Sequence, residues 1–145
     1  MTAARTVGLL YESFGDLDRA VAQLSPAELT ARNNGGSSFA WTAGHVTQMF
    51  ESWILNRFMG LPRHRLLGDA NFGAGGSGAT SDWHSLKDAI DEVRGLARSF
   101  LDSLHDRDLE RVVPYDGSIG FLRPGGLNLE YALLRVAAHH FVHAS

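Results

Sequence analysis

The chain has 145 residues, a formal net charge of −3 at pH 7 and no cysteine. It therefore fits a single domain, residues 1–145, without disulfides, iron–sulfur clusters or thiolate metal sites. Acidic and basic residues are interspersed and form no positively charged patch, which argues against a nucleic-acid partner. Because the sequence has neither an apolar leader nor a run of about 18 apolar residues, it predicts a cytoplasmic protein that does not enter a membrane.

Four segments carry apolar residues at helical spacing and predict four helices. The first runs roughly over residues 4–24, and the Ser25-Pro26 pair after it is typical of the start of a further helical turn. The second runs roughly over residues 38–59 and ends before Gly60, because glycine and the nearby proline interrupt a helix.

The two later helices are marked by capping residues. The third begins near Ser81 and Asp82, whose side chains suit an N-cap, and its apolar stripe continues to Leu104. The fourth follows the Pro-Gly-Gly segment 124–126, has Asn128 as its expected cap, and continues into the C-terminal histidines. The pattern indicates an all-α fold.

The connection between the last two helices contains two short apolar segments, 112–115 and 118–121, on either side of Asp116-Gly117. This dipeptide favours a type I′ turn, in which both central residues have positive φ. The sequence therefore leaves open a short β-hairpin at this point.

Residues 73–78 match G-x-G-x-x-G, the glycine pattern of dinucleotide-binding sites. That motif acts only where a β-strand leads into the glycine turn. Here a predicted helix and a proline-containing segment precede it, so we interpret residues 73–78 as a flexible linker.

The last predicted helix carries His139 and His143 four positions apart, and residues so spaced are neighbours on one helical face. Imidazole nitrogen is a standard ligand for zinc and other late first-row metals. His140 competes with His139 as the partner of His143, although the spacing of four brings the rings closer. Taken singly, each histidine is also consistent with a structural role, in which a buried ring forms a hydrogen bond to a carbonyl or a carboxylate. Burying several imidazoles together is costly unless the nitrogens of all the rings have partners.

His45 lies at the edge of the second helix's apolar face and can supply a third ligand. Three histidine ligands leave a coordination position open, as in catalytic metal sites. The three rings converge only if the second and fourth helices are antiparallel, because in parallel helices they would lie roughly 10 Å apart along the axis. The long connection over residues 60–81 allows this. The predicted fold is a four-helix bundle with a long crossover, up-down-down-up. We expect His64, His84 and His105 to be ordinary surface residues.

The stretch Phe39-Ala40-Trp41-Thr42-Ala43-Gly44-His45 and the terminal His139-x-x-x-His143 resemble the DinB-like superfamily, which includes bacillithiol and mycothiol transferases. The resemblance covers nearly the whole chain. It implies a four-helix bundle in which His45, His139 and His143 bind a divalent metal, zinc first and otherwise nickel, iron or manganese. Family members usually continue past the last histidine with a polar, glycine-containing turn, whereas this sequence ends at Ser145.

The resemblance further implies a metal-dependent thiol S-transferase that acts on a small electrophile, uses a thiol such as mycothiol or bacillithiol, and forms a homodimer. An open-site metal deprotonates a bound thiol, and the thiolate then attacks the electrophile. Arg135, one turn before His139, is a candidate for binding a substrate carboxylate; a solvated surface arginine is the alternative. The alternative function is a non-enzymatic stress-associated or interaction bundle with a structural or vestigial metal site, since no general base is evident beside the histidines.

Overall fold

The computed structural model describes residues 1–32 and 34–144. Its helices are α1 (Ala3–Ala22), α2 (Pro26–Thr30), α3 (Phe39–Phe50), α4 (Trp83–Asp102) and α5 (Leu129–Ala144), and α3 continues in π-helical geometry over Glu51–Phe58. Single 3₁₀ turns occupy Ala70–Phe72, Asp106–Glu110 and Gly120–Leu122, and two short strands, β1 (Val112–Val113) and β2 (Leu127–Asn128), pair antiparallel. In the described part of the chain, every helix is too short or too polar to cross a membrane.

Each long helix begins at a polar residue whose side-chain oxygen accepts a hydrogen bond from the backbone N–H three positions later. The four caps are Thr2, Ser38, Asp82 and Asn128, with donor–acceptor distances of 3.0 to 3.2 Å. A cap of this kind stabilises a helix by about 1 kcal/mol. The predictions for Asp82 and Asn128 are thus confirmed.

The four long helices pack up-down-down-up, as predicted. α1 is antiparallel to α4 and parallel to α5, whereas α3 is antiparallel to α5. Between α1 and α4, Tyr11 contacts Asp102 and Asp18 contacts Arg94, so these helices are antiparallel. Between the start of the chain and α5, Met1 contacts Glu130 and Phe14 contacts His140, so α1 and α5 are parallel. Between α3 and α5, His45 contacts His143 and Trp53 contacts Tyr131, so these helices are antiparallel. The side chains of Leu10, Phe50, Ile54 and Leu133 are fully buried in the core between these helices.

The connection from α3 to α4 crosses the bundle and is anchored by a buried carboxylate. Glu51, only 1% exposed, accepts a hydrogen bond of 2.8 Å from Arg63 Nε and one of 3.2 Å from the His64 backbone N–H. His64 is not the ordinary surface residue expected from sequence. Its Nδ1 accepts hydrogen bonds from the Leu66 and Leu67 amides, and its Nε2 lies 2.8 Å from Glu92.

The short antiparallel pairing that the sequence left open is present between α4 and α5, but it does not turn at Asp116-Gly117. β1 lies within the first predicted strand, but it pairs with β2 rather than with residues 118–121. The intervening chain instead folds over the ring of Tyr115, whose hydroxyl accepts a hydrogen bond from the Ile119 N–H, and Asp116 pairs with Arg57 at 2.9 Å. These tertiary contacts outweigh the local turn preference.

Candidate metal centre

Three histidines from two helices meet near one end of the bundle. His45 lies in the second turn of α3, and His139 and His143 lie in the last turns of α5; their ring centroids are 5.0, 5.8 and 4.8 Å apart. One nitrogen from each ring lies within 4.8 Å of the other two. Nitrogens that bind one tetrahedral ion at about 2.1 Å lie about 3.4 Å apart. The nitrogens of the three rings are therefore at most about 1.4 Å farther apart than in such a site.

The orientation of His45 is fixed by its neighbours. Its Nδ1 lies 2.6 Å from the carbonyl oxygen of Phe72 in the crossover connection, and because a carbonyl only accepts, Nδ1 carries the hydrogen. The other ring nitrogen, Nε2, is thereby left with a lone pair. Trp41, one turn earlier, stacks on the imidazole with ring centroids 4.9 Å apart and planes inclined by 8°.

His139 offers a buried nitrogen that lacks a partner. Its Nδ1 is shielded from solvent and has no hydrogen-bond partner among the described residues. Burial, followed by the nearby imidazoles of His45 and His143, lowers the pKa of His139 from 6.5 to about 4. Burial also lowers the pKa of His143, with a further contribution from His45. Both rings are therefore favoured in the neutral form that binds a metal.

His140 points away from the three-histidine cluster. Its ring is completely buried, lies 5.0 Å from the ring of Phe14, and donates from Nδ1 to the Val136 carbonyl at 2.9 Å. Burial lowers the pKa of His140 to about 3. Of the two alternatives left open by the sequence, the structure places His139, and not His140, beside His45 and His143.

The donor set fits a divalent metal of the zinc, nickel or iron type. Among the described residues the cluster consists of imidazoles alone, which suit these ions better than magnesium or calcium, whose ligands are oxygen atoms. The Nδ1 of His139 has no hydrogen-bond partner among the described residues, so metal binding by this ring would break no hydrogen bond of that atom. Three protein ligands leave an open coordination position.

A cleft of about 600 Å³ opens beside His143. Its walls come from the end of α1, from α2, from the start of α3 and from the end of α5: Leu24, Glu28, Ala31, Ser37, Phe39, Thr42, Val142 and His143. Glu28 is the one charged side chain in this set besides the titratable His143. Hydrogen bonds from the Ser25 backbone N–H and hydroxyl hold the pKa of Glu28 below its usual range. The cleft therefore offers a small molecule both polar and apolar surface beside His143, with Glu28 as its carboxylate.

Arg135 lies on the exposed side of α5, one turn before His139. Its Nη1 donates a hydrogen bond of 2.7 Å to the hydroxyl of Tyr131, and its positive charge contributes to the lowered pKa of His139. The side chain is thus held by its own helix, close enough to influence the histidines electrostatically.

Sequence reasoning missed the crossover's contribution to this site. The Phe72 carbonyl that orients His45 is a backbone atom, and a backbone atom leaves no signature in residue type. A partial signal was the Trp41-x-x-Gly44-His45 spacing, since the absence of a Cβ at Gly44 admits the ring of Phe72. The sequence alone did not show which segment would use that space.

Comparisons with known proteins support the family and the fold of the chain. The family model described as the DinB superfamily matches residues 9–145. The fold is also similar to that of a conserved protein from Enterococcus faecalis known from a crystal structure, with a TM-score of 0.61 and 15% sequence identity over 97% of this chain and 89% of the other. No protein of curated function matches the chain significantly.

Proposed function

The chain belongs to the DinB superfamily, and from this premise we propose that it is a divalent-metal-dependent thiol S-transferase that acts on a small electrophile. The observation that carries the proposal is the meeting of His45, His139 and His143, each with one nitrogen within 4.8 Å of the others. Zinc is the favoured ion, and nickel, iron or manganese are the alternatives.

His45, His139 and His143 would hold the ion, and the neutral state of the two α5 imidazoles favours binding at neutral pH. A bound divalent ion supplies positive charge that lowers the pKa of a thiol, which increases the thiolate available for attack on an electrophile. The cosubstrate is a low-molecular-weight thiol such as mycothiol or bacillithiol.

The cleft beside His143 supports an enzymatic function over a purely structural site. Phe39 and Val142 would provide apolar contact for the carbon skeleton of a substrate, and Thr42, three residues before His45 in α3, also lines the cleft. A structural metal site is closed, with protein atoms in all positions. Arg135 is our candidate for pairing with a substrate carboxylate, which would require its guanidinium to exchange Tyr131 for the substrate.

Metal analysis of protein without a histidine tag tests the first step. We expect about one zinc, nickel, iron or manganese ion per chain in the purified protein and loss of that ion in His143→Ala. His84→Ala is the matched control, because His84 is an exposed histidine outside the cluster and its removal should leave the metal content unchanged. Metal-free wild-type protein that takes up no added ion would refute the proposal.

Thiol consumption tests the second step. Metal-loaded protein is incubated with mycothiol or bacillithiol and a model electrophile, and the disappearance of free thiol is followed over time. We expect turnover by wild-type protein and none by His143→Ala. Stoichiometric metal without turnover of either thiol would favour the non-enzymatic alternative, a bundle with a structural or vestigial site.

A further inference from the structure

The crossover connection presents a series of backbone carbonyls to one face of α3. The donors on α3 are Trp41, His45 and Gln48, which share a face because they are spaced by four and three residues. The bonds are Trp41 Nε1 to Asn71 O at 2.6 Å, His45 Nδ1 to Phe72 O at 2.6 Å, and Gln48 Nε2 to Leu67 O and Asp69 O, both at 2.9 Å.

The same face of α3 has a glycine that receives the crossover. A Cβ atom at Gly44 would lie 2.6 Å from Cδ1 and 2.7 Å from Cε1 of the Phe72 ring, so only glycine admits the ring in this position. Phe72 is 3% exposed. The close approach of Phe72 brings its own carbonyl to the imidazole of His45.

The turn that carries these carbonyls is closed internally. The side chain of Asn71 donates to the Ala79 carbonyl at 3.0 Å and accepts from the Ser77 N–H at 3.0 Å, which ties the glycine-rich segment back to the 3₁₀ turn Ala70–Phe72. The Ser38 N–H, at the N-cap of α3, donates to Gly78 O at 2.8 Å. Residues 66–79 therefore form a docked loop and not the flexible linker expected from sequence.

We propose that this loop, residues 66–79, positions His45 for metal binding, so that metal affinity and docking of the loop are thermodynamically coupled. A neutral imidazole has one N–H, and the Phe72 carbonyl holds that hydrogen on Nδ1, which directs the lone pair of Nε2 away from the loop. Ligation of Nε2 makes the Nδ1–H a stronger donor, which in turn strengthens the bond to Phe72. The coupling is reciprocal by thermodynamic necessity.

The inference rests on the proposed metal site and concerns residues that do not touch the ion. If Trp41 and Gly44 served only the packing of the core, changing them would alter stability while folded protein kept its metal affinity. If the loop positions His45, metal affinity falls even where the fold is intact. Loss of an outer-shell partner of a metal-binding histidine typically reduces affinity about 10- to 100-fold.

Gly44→Ala is the first test variant, because its added methyl group displaces Phe72 without altering a metal ligand. Gly95→Ala is the matched control: Gly95 also lies within a long helix, and a Cβ there meets nothing within 4 Å. Zinc affinity is measured by competition with a chelator. We expect it to fall about 10- to 100-fold in Gly44→Ala and to stay within twofold of wild type in Gly95→Ala.

Asn71→Ala is the second variant and keeps the inference testable if Gly44→Ala fails to fold. It removes the three hydrogen bonds of the Asn71 side chain to Ser77 and Ala79 and changes no residue of α3. We expect a smaller loss of zinc affinity, with a circular dichroism spectrum like that of wild type.

Hydrogen exchange of residues 66–79, with and without zinc, gives a readout that does not depend on activity. We expect zinc to slow exchange of these amides in wild-type protein, to have a reduced effect in Asn71→Ala, and to have none in His143→Ala. The coupling would be overturned, and the metal site would remain, if zinc affinity were unchanged in both Gly44→Ala and Asn71→Ala. The same holds if zinc did not change the hydrogen exchange of residues 66–79 in wild-type protein. Wild-type protein that binds no zinc would instead overturn the proposed function and the coupling with it.

Discussion

At one end of the α3–α5 pair, Trp53 packs edge-on against Tyr115 and lies nearly parallel to Tyr131, with ring centroids 5.9 and 6.5 Å apart. At the other end, His45 faces two histidines of α5 at similar spacing. Both ends are aromatic clusters between the same two antiparallel helices. They differ in whether the polar atoms of the rings have partners.

At the aromatic end, both tyrosine hydroxyls have hydrogen-bond partners. The hydroxyl of Tyr115 accepts a hydrogen bond from Ile119, that of Tyr131 accepts one from Arg135, and the Arg57 guanidinium lies 5.0 Å above the Tyr115 ring. Such rings stabilise a fold through apolar burial and through aromatic and cation–π contacts.

The histidine end keeps a buried nitrogen of His139 without a partner, and an unsatisfied buried polar atom costs about 1–3 kcal/mol. One end of the pair thus has its tyrosine hydroxyls bonded, whereas the other leaves an imidazole nitrogen available to a ligand. Substitutions at the two ends should therefore separate stability from metal binding.

The largest expected effect is that of Trp53→Ala on the aromatic end. Trp53 is 5% exposed, and truncating such a side chain costs about 3–5 kcal/mol in the free energy of unfolding. Urea unfolding of metal-free protein measures the loss. The matched change at the other end, His143→Ala, should lower stability by less than about 1 kcal/mol, since His143 is partly exposed. Equal losses at the two ends would contradict the comparison.

Metal binding should depend on the histidine end and not on the aromatic end. An ion that binds only the folded chain stabilises it by about 2.7 kcal/mol at 100 times its dissociation constant, and a change of this size raises the melting temperature by about 10 °C. We expect this gain for wild-type protein and for Trp53→Ala, and its absence in His143→Ala. A chelator should remove it. Thermal melts of the three proteins with and without zinc provide the measurement.

The smallest expected effect is an acid sensitivity of the metal-free protein. Burial lowers the pKa of His140 from 6.5 to about 3, so the unfolded chain takes up a proton before the folded chain does. The free energy of unfolding is therefore highest above about pH 6.5 and falls as the pH falls towards 3. At pH 5, His140 accounts for a loss of about 2 kcal/mol. His139 and His143 act in the same direction.

His140→Leu removes this titration from the core while keeping a side chain of similar volume. Urea midpoints measured from pH 7 to pH 4.5 should fall less steeply for His140→Leu than for wild-type protein. The same slope in both proteins would show that burial of His140 does not produce the acid sensitivity.

The helices and the shared face of His139 and His143 could be predicted from sequence because each depends on local rules. Helical periodicity placed His139 and His143 on one face, and the requirement that His45 reach them fixed the antiparallel packing of α3 and α5. The cap residues Asp82 and Asn128 were predictable for the same reason, since a cap bonds to its own helix.

What the sequence did not predict depends on partners far away in the chain. β1 pairs with Leu127–Asn128 because Tyr115 and Asp116 are engaged by tertiary contacts, and His64 is held by Glu92 from α4. The loop 66–79 contacts His45 through a backbone carbonyl, which any residue at position 72 would possess. Its docking follows from the complete fold and has no local pattern.

Anomalous scattering from crystals of tag-free protein soaked with zinc would show whether the three histidines bind one ion. We expect one strong peak within about 2.1 Å of a nitrogen of each of His45, His139 and His143. The Nδ1 of His45 should still be hydrogen-bonded to the Phe72 carbonyl in that structure. A map with no peak between these rings, or a zinc ion bound to other residues alone, would show that these histidines do not form the metal site.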